Sequence, residues 1–182
     1  MNYEFPEVMV DVETTGTDPS HSHMIQLSAV RFNLKEGTID PNVFDRCLHM
    51  APGRFWDEGT RTFWAQFPDV LSDISARMEF PERVMQGFAR WAGKGLRMWA
   101  KPISFDYSFV ASYCRQFNID MPFAFTGPTG AMDQNTFIRA RHFPDVPPKY
   151  EDQLEFVGDK HNGLDDVFHQ IKVVMTAYEA TK

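Results

Sequence analysis

Along residues 8–12, VMVDV, valine alternates with other residues at the period of a half-buried strand. Residues 24–32 (MIQLSAVRF) and 43–49 (VFDRCLH) read as a second and a third strand. The stretch 33–41, with Gly37 inside it, reads as the turn that joins them in a hairpin. The period then changes. Residues 57–66 and 69–77 predict short helices interrupted at Pro68. Pro81 opens a longer one, in which Val84, Phe88 and Trp91 recur at helical spacing until Gly93 and Gly95 stop it. A short apolar strand follows at 96–100 (LRMWA), and then a helix from near Ser104. The Pro- and Gly-rich stretch 119–132 holds a candidate edge strand at 123–125, and a short helix starts near Asp133. Pro144, Pro147 and Pro148 mark a loop before a last helix over 164–178. A hairpin-joined sheet followed by alternating helices and strands predicts a mixed α/β sheet with helices on both faces.

Composition narrows the picture in three ways. A chain of 182 residues suits one domain, and 43% hydrophobic with 14% aromatic residues is enough for a sizeable core. No apolar run is long enough to span a membrane, and the start, MNYEFPEV, lacks the basic and apolar regions of a signal peptide. The two cysteines, Cys47 and Cys114, fit no metal spacing and no secreted disulfide framework, so the expected location is a reducing cytoplasm. A net charge of −7 argues against a protein that coats nucleic acid through a broad basic face. It leaves open an enzyme that grips a nucleic-acid end, because acids gathered around divalent cations present a locally positive site.

The acids are where the pattern is broken. Asp11 and Glu13 lie two apart on the first strand, so they share one face, with Met9 beneath them. Like charges that close are costly unless a proton or a cation lies between them. The alternative is a strand running out into a polar turn at Thr14, Thr15 and Gly16. Asp106 falls on the stripe of Val110, Tyr113 and Phe117, at offsets of zero, four, seven and eleven, although an acid serving only the helix dipole would sit on the wet side. Before the last helix stands HNGLDDV, 161–167, whose apolar stripe continues from Val167 through Ile171, Val174 and Tyr178. Asp165 aligns with His169 and Lys172, on the wet side. Asp166 aligns with Gln170 and Val173, bordering the core. His161 precedes the regular helix and either caps it or folds back over the same place. Four inward acids would repel one another severely, but with two divalent ions they form a phosphoryl-transfer site. A nearby imidazole, with an ordinary pKa of about 6.5, suits proton removal from water near neutrality. Oxygen ligands favour Mg²⁺ or Mn²⁺ over zinc.

DVETTG, FDYSFV and HNGLDD, in that order and at those separations, resemble the three motifs of the DEDDh 3′→5′ exonucleases, which include RNase T, oligoribonuclease and the proofreading subunit of DNA polymerase III. The resemblance extends from residue 8 to about residue 175. It implies an RNase H-like α/β fold: a five-stranded mixed sheet, its second strand antiparallel, flanked by helices in a single exonuclease domain over 1–182. It implies four metal-binding acids at Asp11, Glu13, Asp106 and Asp166, two divalent cations (Mg²⁺ or Mn²⁺), and a general base at His161. The implied activity is hydrolysis of 3′-terminal phosphodiesters, in RNA or in single-stranded or overhanging nucleic acid, to nucleoside 5′-monophosphates. RTFWAQFPDV and DQNT are similar to a subgroup of small bacterial and phage exonucleases that includes exoribonucleases and is often dimeric, which implies a homodimer.

Two positions depart from the family pattern. Gly163 stands where Ala is common, and Lys101 and Pro102 stand where Gly or Asn is often found. For substrate contacts, the family places Thr14 against the terminal nucleotide. Trp56, Phe63 and Trp64 offer a stacking surface, at about 1–3 kcal/mol per base, or are core-packing aromatics. Arg139, Arg141 and Lys149 are either phosphate contacts or solvated surface. The rivals to an exonuclease of RNA or DNA 3′ ends are a DNA-specific exonuclease, an endonuclease on the same fold, and a catalytically idle nucleic-acid-binding module.

Overall fold

The computed structural model describes residues 3–124 and 126–182. Alternation along the first strand builds β1 (Glu7–Thr14), which pairs antiparallel with β2 (Met24–Asn33). The expected hairpin turn is longer than a simple turn, because two of its residues form β3 (Thr38–Ile39) and pair back onto β2. β4 (Phe44–Leu48) then runs antiparallel to β2. Asp57 caps α1 (Glu58–Trp64) by accepting from the Gly59 and Thr60 N–H groups, and Pro68 occupies the first turn of α2 (Pro68–Ala76), where its missing N–H costs nothing. β5 (Met78–Glu79) and α3 (Pro81–Ala92) follow, the latter stopped by Gly93 at φ 66°. β6 (Arg97–Ala100) runs parallel to β1 and leads into α4 (Ile103–Gln116). The chain closes with β7 (Met132–Asp133), α5 (Gln134–His142), α6 (Tyr150–Gln153) and α7 (Gly163–Glu179).

These strands form one mixed sheet in the order β5-β4-β2-β1-β6-β7, with β3 beside β2. It has seven strands where five were expected. The two additional strands are β3 and β5, each only two residues long and too short to show alternation. The edge strand expected at 123–125 is not formed by Phe123 and Ala124, and Phe125 lies outside the described residues. Phe123 instead buries its ring edge-on against Phe88, 5.9 Å between centroids, and the edge position goes to β7.

Alternation on β1 decides which layer each residue meets. Val8, Val10 and Val12 pack with Val84, Phe88, Val110 and Tyr113 of α3 and α4. Met9 faces the other way, with Trp99, Val167, Ile171 and Val174. The Tyr113 hydroxyl accepts the Met24 N–H at 2.8 Å, tying α4 to the start of β2. Asp106, two turns earlier on α4, is thereby held at the C-terminal end of β1. No helix of the described residues is long and apolar enough to cross a membrane.

Candidate active site

Asp11 and Glu13 leave the end of β1 on the face that Met9 presents to α7. A register shift between Glu13 and Thr14 ends the regular pairing with β2 there. β6 pairs with β1 only as far as Met9, so the Val12 N–H on that side has no strand partner. Asp106 supplies one: its Oδ1 accepts the Val12 N–H at 2.9 Å, with the side chain 2% exposed. Asp166 approaches from the first turn of α7, where Asn162 caps the helix by accepting the Leu164 N–H. The chain before that cap folds back through His161, at φ 65°, and the His161 N–H donates to Asp166 Oδ2 at 2.9 Å. Two rings wall the imidazole on its outer side. Phe63 and Phe67 meet it edge to face at 4.9 and 4.4 Å between centroids.

The four carboxylates act on one another. Burial pushes the Asp11 carboxyl up to about 7 and the Asp166 charge adds to this, while a hydrogen bond from Gln170 Nε2 at 2.9 Å and the charge of Lys101 oppose it. Glu13 is raised well above the usual carboxylate range by burial first, then by Asp11, Asp166 and Asp106. Asp106 is raised likewise by burial and by Asp11, against the Val12 hydrogen bond. Asp166 is raised by burial, partly offset by the His161 N–H.

Ligand atoms of Glu13, His161 and Asp166 lie within 4.8 Å of one another. Gln170 Oε1 is buried beside Asp11 without a hydrogen-bond partner among the described residues. Clustered carboxylate oxygens at mutually repelling distance suit hard divalent cations.

A pH dependence of stability follows. With its folded value near 7 against an ordinary 3.8, Asp11 keeps a proton that the unfolded chain releases. Its contribution is full below that ordinary value, falls across the window and is lost above about 7. The metal-free Asp11→Asn protein should therefore gain melting temperature over wild type as pH rises from about 5 to about 8, and Mg²⁺ should close that gap. A gap that stays constant with pH would mean that Asp11 holds no such proton.

Beside Glu13 opens a recess of about 410 Å³, lined by Thr14, Gly16, Thr17, Thr60, Phe63 and Phe105 among others. A larger cavity, about 1070 Å³, opens near Glu7, Asn33 and Arg97 at the opposite end of β1, away from the acids. Thr14 turns its hydroxyl to the Gly16 carbonyl at 2.8 Å and is nearly buried. Trp64 also lines the recess. Its ring is 1% exposed, and its Nε1 donates to the Thr14 carbonyl at 2.9 Å, so it braces the recess from behind. Phe63, also on the lining, is 36% exposed. Trp56 packs against the Ile25–Cys47–Trp64 cluster under Arg61. Arg141 is tied to Thr181, and Lys149 pairs with Asp152 at 3.9 Å, while Arg139 lines a separate cavity. Gln170 and Phe67 are neighbours of the site that the motifs do not contain. The alignment of Gln170 with Asp166 on α7 was a signal for the first, and the segment RTFWAQFPDV, which contains Phe67, was one for the second.

Residues 6–178 match the family described as the 3′-5′ exoribonuclease Rv2179c-like domain. Among solved structures, E. coli exonuclease I in complex with a dA16 oligonucleotide superposes with a TM-score of 0.72 at 15% identity, covering 95% of this chain and 42% of that one. Exonuclease I from Methylocaldum szegediense gives 0.70 at 16%, covering 94% and 40%. The zinc-bound E. coli exonuclease I–single-stranded DNA complex gives 0.68 at 14%, covering 91% and 38%. The chain spans about two fifths of the length of these proteins, and at such identities the likeness shows a common fold. No curated protein sequence matches the chain.

Proposed function

This chain belongs to the 3′-5′ exoribonuclease Rv2179c-like domain family, and on that premise we propose that it removes nucleoside 5′-monophosphates one at a time from RNA 3′ ends. It is a DEDDh-type 3′→5′ exonuclease, a hydrolase acting on nucleic acid. The observation that carries the finer reading is the convergence of Asp11, Glu13, Asp106 and Asp166 on one strand end, with His161 folded over them. The carboxylates would hold two divalent cations, Mg²⁺ or Mn²⁺, which when bound supply Lewis acidity to the phosphate and acidify the attacking water. A ring nitrogen of His161 takes the proton of that water. Val12 N–H and Gln170 Nε2 hold Asp106 and Asp11 in place, so the cluster is oriented before substrate arrives. The recess by Thr14 and Phe63 takes the terminal nucleoside, and the exposed Phe63 face stacks on its base. The family's description favours RNA. A homodimer and a cytoplasmic setting belong to the same reading. The first rests on the likeness to often-dimeric small exonucleases and is measured by light scattering. The second rests on two buried free thiols, Cys47 and Cys114.

The test is digestion of matched 5′-labelled RNA and DNA oligonucleotides with Mg²⁺ or Mn²⁺. A ladder shrinking by single nucleotides, faster on RNA, supports the proposal. Faster loss from DNA would reassign the substrate, a single internal cut would make the protein an endonuclease, and no metal-dependent release from either would leave a binding module.

The neighbouring acids of α7 give a sharper contrast. Asp166→Asn should lose at least about 10³-fold in rate, the order expected when a metal-holding anion is removed. Asp165→Asn should keep most activity. Its Oδ2 accepts the Asp159 N–H at 2.9 Å, away from the cluster, and an amide oxygen can do the same. Equal losses, or the reverse order, would place the wrong face of α7 in the site.

A further inference from the structure

Lys101 follows β6 directly. The parallel register of β1 and β6 ends at Met9↔Trp99, and two residues beyond that pair lie Asp11 and Lys101. Met9 and Trp99 both face α7, and Asp11, two residues further along β1, repeats that direction. Lys101 stands one residue past β6, beside the strand that carries Asp11, and its charge acts on both Asp11 and His169 of α7. The Lys101 ammonium lies 2.5 Å from Glu151 Oε1, with its side chain one-third exposed. Glu151 Oε1 is also held by Gln134 Nε2 at 3.0 Å. Gln134 is fully buried, and its own Oε1 has no partner among the described residues, so the arrangement is built from the core outward.

We propose that Lys101 contacts substrate, its ammonium donating to a non-bridging oxygen of the phosphate at the carboxylate cluster, with Glu151 and Gln134 as positioning residues that hold it extended there. This rests on the exonuclease reading above. A phosphate approaching four carboxylates meets repulsion, and a cation level with Asp11 opposes it. The lysine charge already acts on Asp11. An ammonium has three donors, so it can keep Glu151 while bonding a phosphate oxygen. A partly exposed ion pair contributes little stability by itself, so sharing the lysine with phosphate costs little.

The test uses calorimetric titration of the full chain with adenosine 5′-monophosphate in saturating Mn²⁺, and with Mn²⁺ alone. Lys101→Met should bind the nucleotide roughly tenfold more weakly, the order expected for one charge-assisted hydrogen bond. Its affinity for Mn²⁺ alone should be equal or higher, since a repelling cation has gone. Lys101→Arg should recover part of the nucleotide affinity. Glu151→Gln keeps the cation and loosens only its support, so it should weaken nucleotide binding less than Lys101→Met does and leave Mn²⁺ affinity unchanged, which separates phosphate contact from a positioning role. The proposal is overturned if Lys101→Met binds the nucleotide like wild type, or if Glu151→Gln weakens it equally. Either result with a wild-type chain that binds Mn²⁺ and releases mononucleotides sinks this assignment alone. A wild-type chain that does neither sinks the exonuclease reading with it.

Discussion

Asp11→Asn and Glu13→Gln are each expected to lower turnover by at least about 10³-fold while leaving the metal-free fold intact. Each substitution removes an anion from a cluster in which burial and three neighbouring carboxylates already disfavour charge. The neutral side chains keep the local bonds. At position 11 an amide oxygen still accepts from Gln170, as Asp11 Oδ1 does at 2.9 Å. The loss therefore falls on cation affinity and on whatever chemistry the cations support. Calorimetry with Mn²⁺ should show weaker uptake by both variants, and thermal melts without metal should show no fall. Near neutral pH a rise is expected, because a repulsion has been removed. A large drop in melting temperature without metal would make these acids part of the scaffold. The pair at the end of β1 would then be the start of a polar turn and no more.

That the two acids share a face was legible because a strand has a period of two and β1 keeps it for the seven residues Glu7 to Glu13, before the register shift between Glu13 and Thr14. Asp106 and Asp166 were legible for a similar reason. Each sits on or beside a stripe whose other members, Val110 and Tyr113 in one case and Gln170 and Val173 in the other, are buried. Helical phase over fourteen or seventeen residues is a strong constraint. The seven residues of α1 are not. Phe63 and Trp64 are adjacent and about 100° apart on the helix, and nothing in so short a segment says which one turns inward. Packing against Ile25 and Cys47 and the bond to the Thr14 carbonyl decide it, and both partners are distant in sequence.

The same limit hides the supports of the site. Arg77 on Asp45, Asp45 on Gln26 and Ser28, and Gln26 Oε1 on the Gly163 N–H form a chain running from α2 to the start of α7. Gly163 is explained by that closeness. A Cβ there would lie 2.8 Å from the Ser28 hydroxyl, so the smaller residue fits where a family alanine would press on β2. The Lys101–Glu151 pair likewise joins the end of β6 to α6 across fifty residues. No periodicity carries such information, because each contact depends on where whole layers come to rest.

His161→Ala is expected to cost roughly 10²–10⁴-fold in single-turnover rate, the range for loss of a general base. The geometry makes a clean test possible. The main-chain N–H of residue 161 holds Asp166 Oδ2 at 2.9 Å, and that bond survives loss of the ring. Phe63 and Phe67 lose an edge contact on the outer side, which bears on packing and not on the carboxylates. An imidazole that accepts a proton from water must be neutral, so the wild-type rate should rise with pH and the variant should lose that imidazole-dependent rise. The rival role is ligation, because the ring comes within 4.8 Å of ligand atoms on Glu13 and Asp166. Calorimetric titration with Mn²⁺ separates the two. A general base leaves cation affinity unchanged when it is removed, whereas a ligand loses affinity in proportion to rate. A variant with unchanged rate would take His161 out of the reaction and leave its ring as a packing partner of the two phenylalanines.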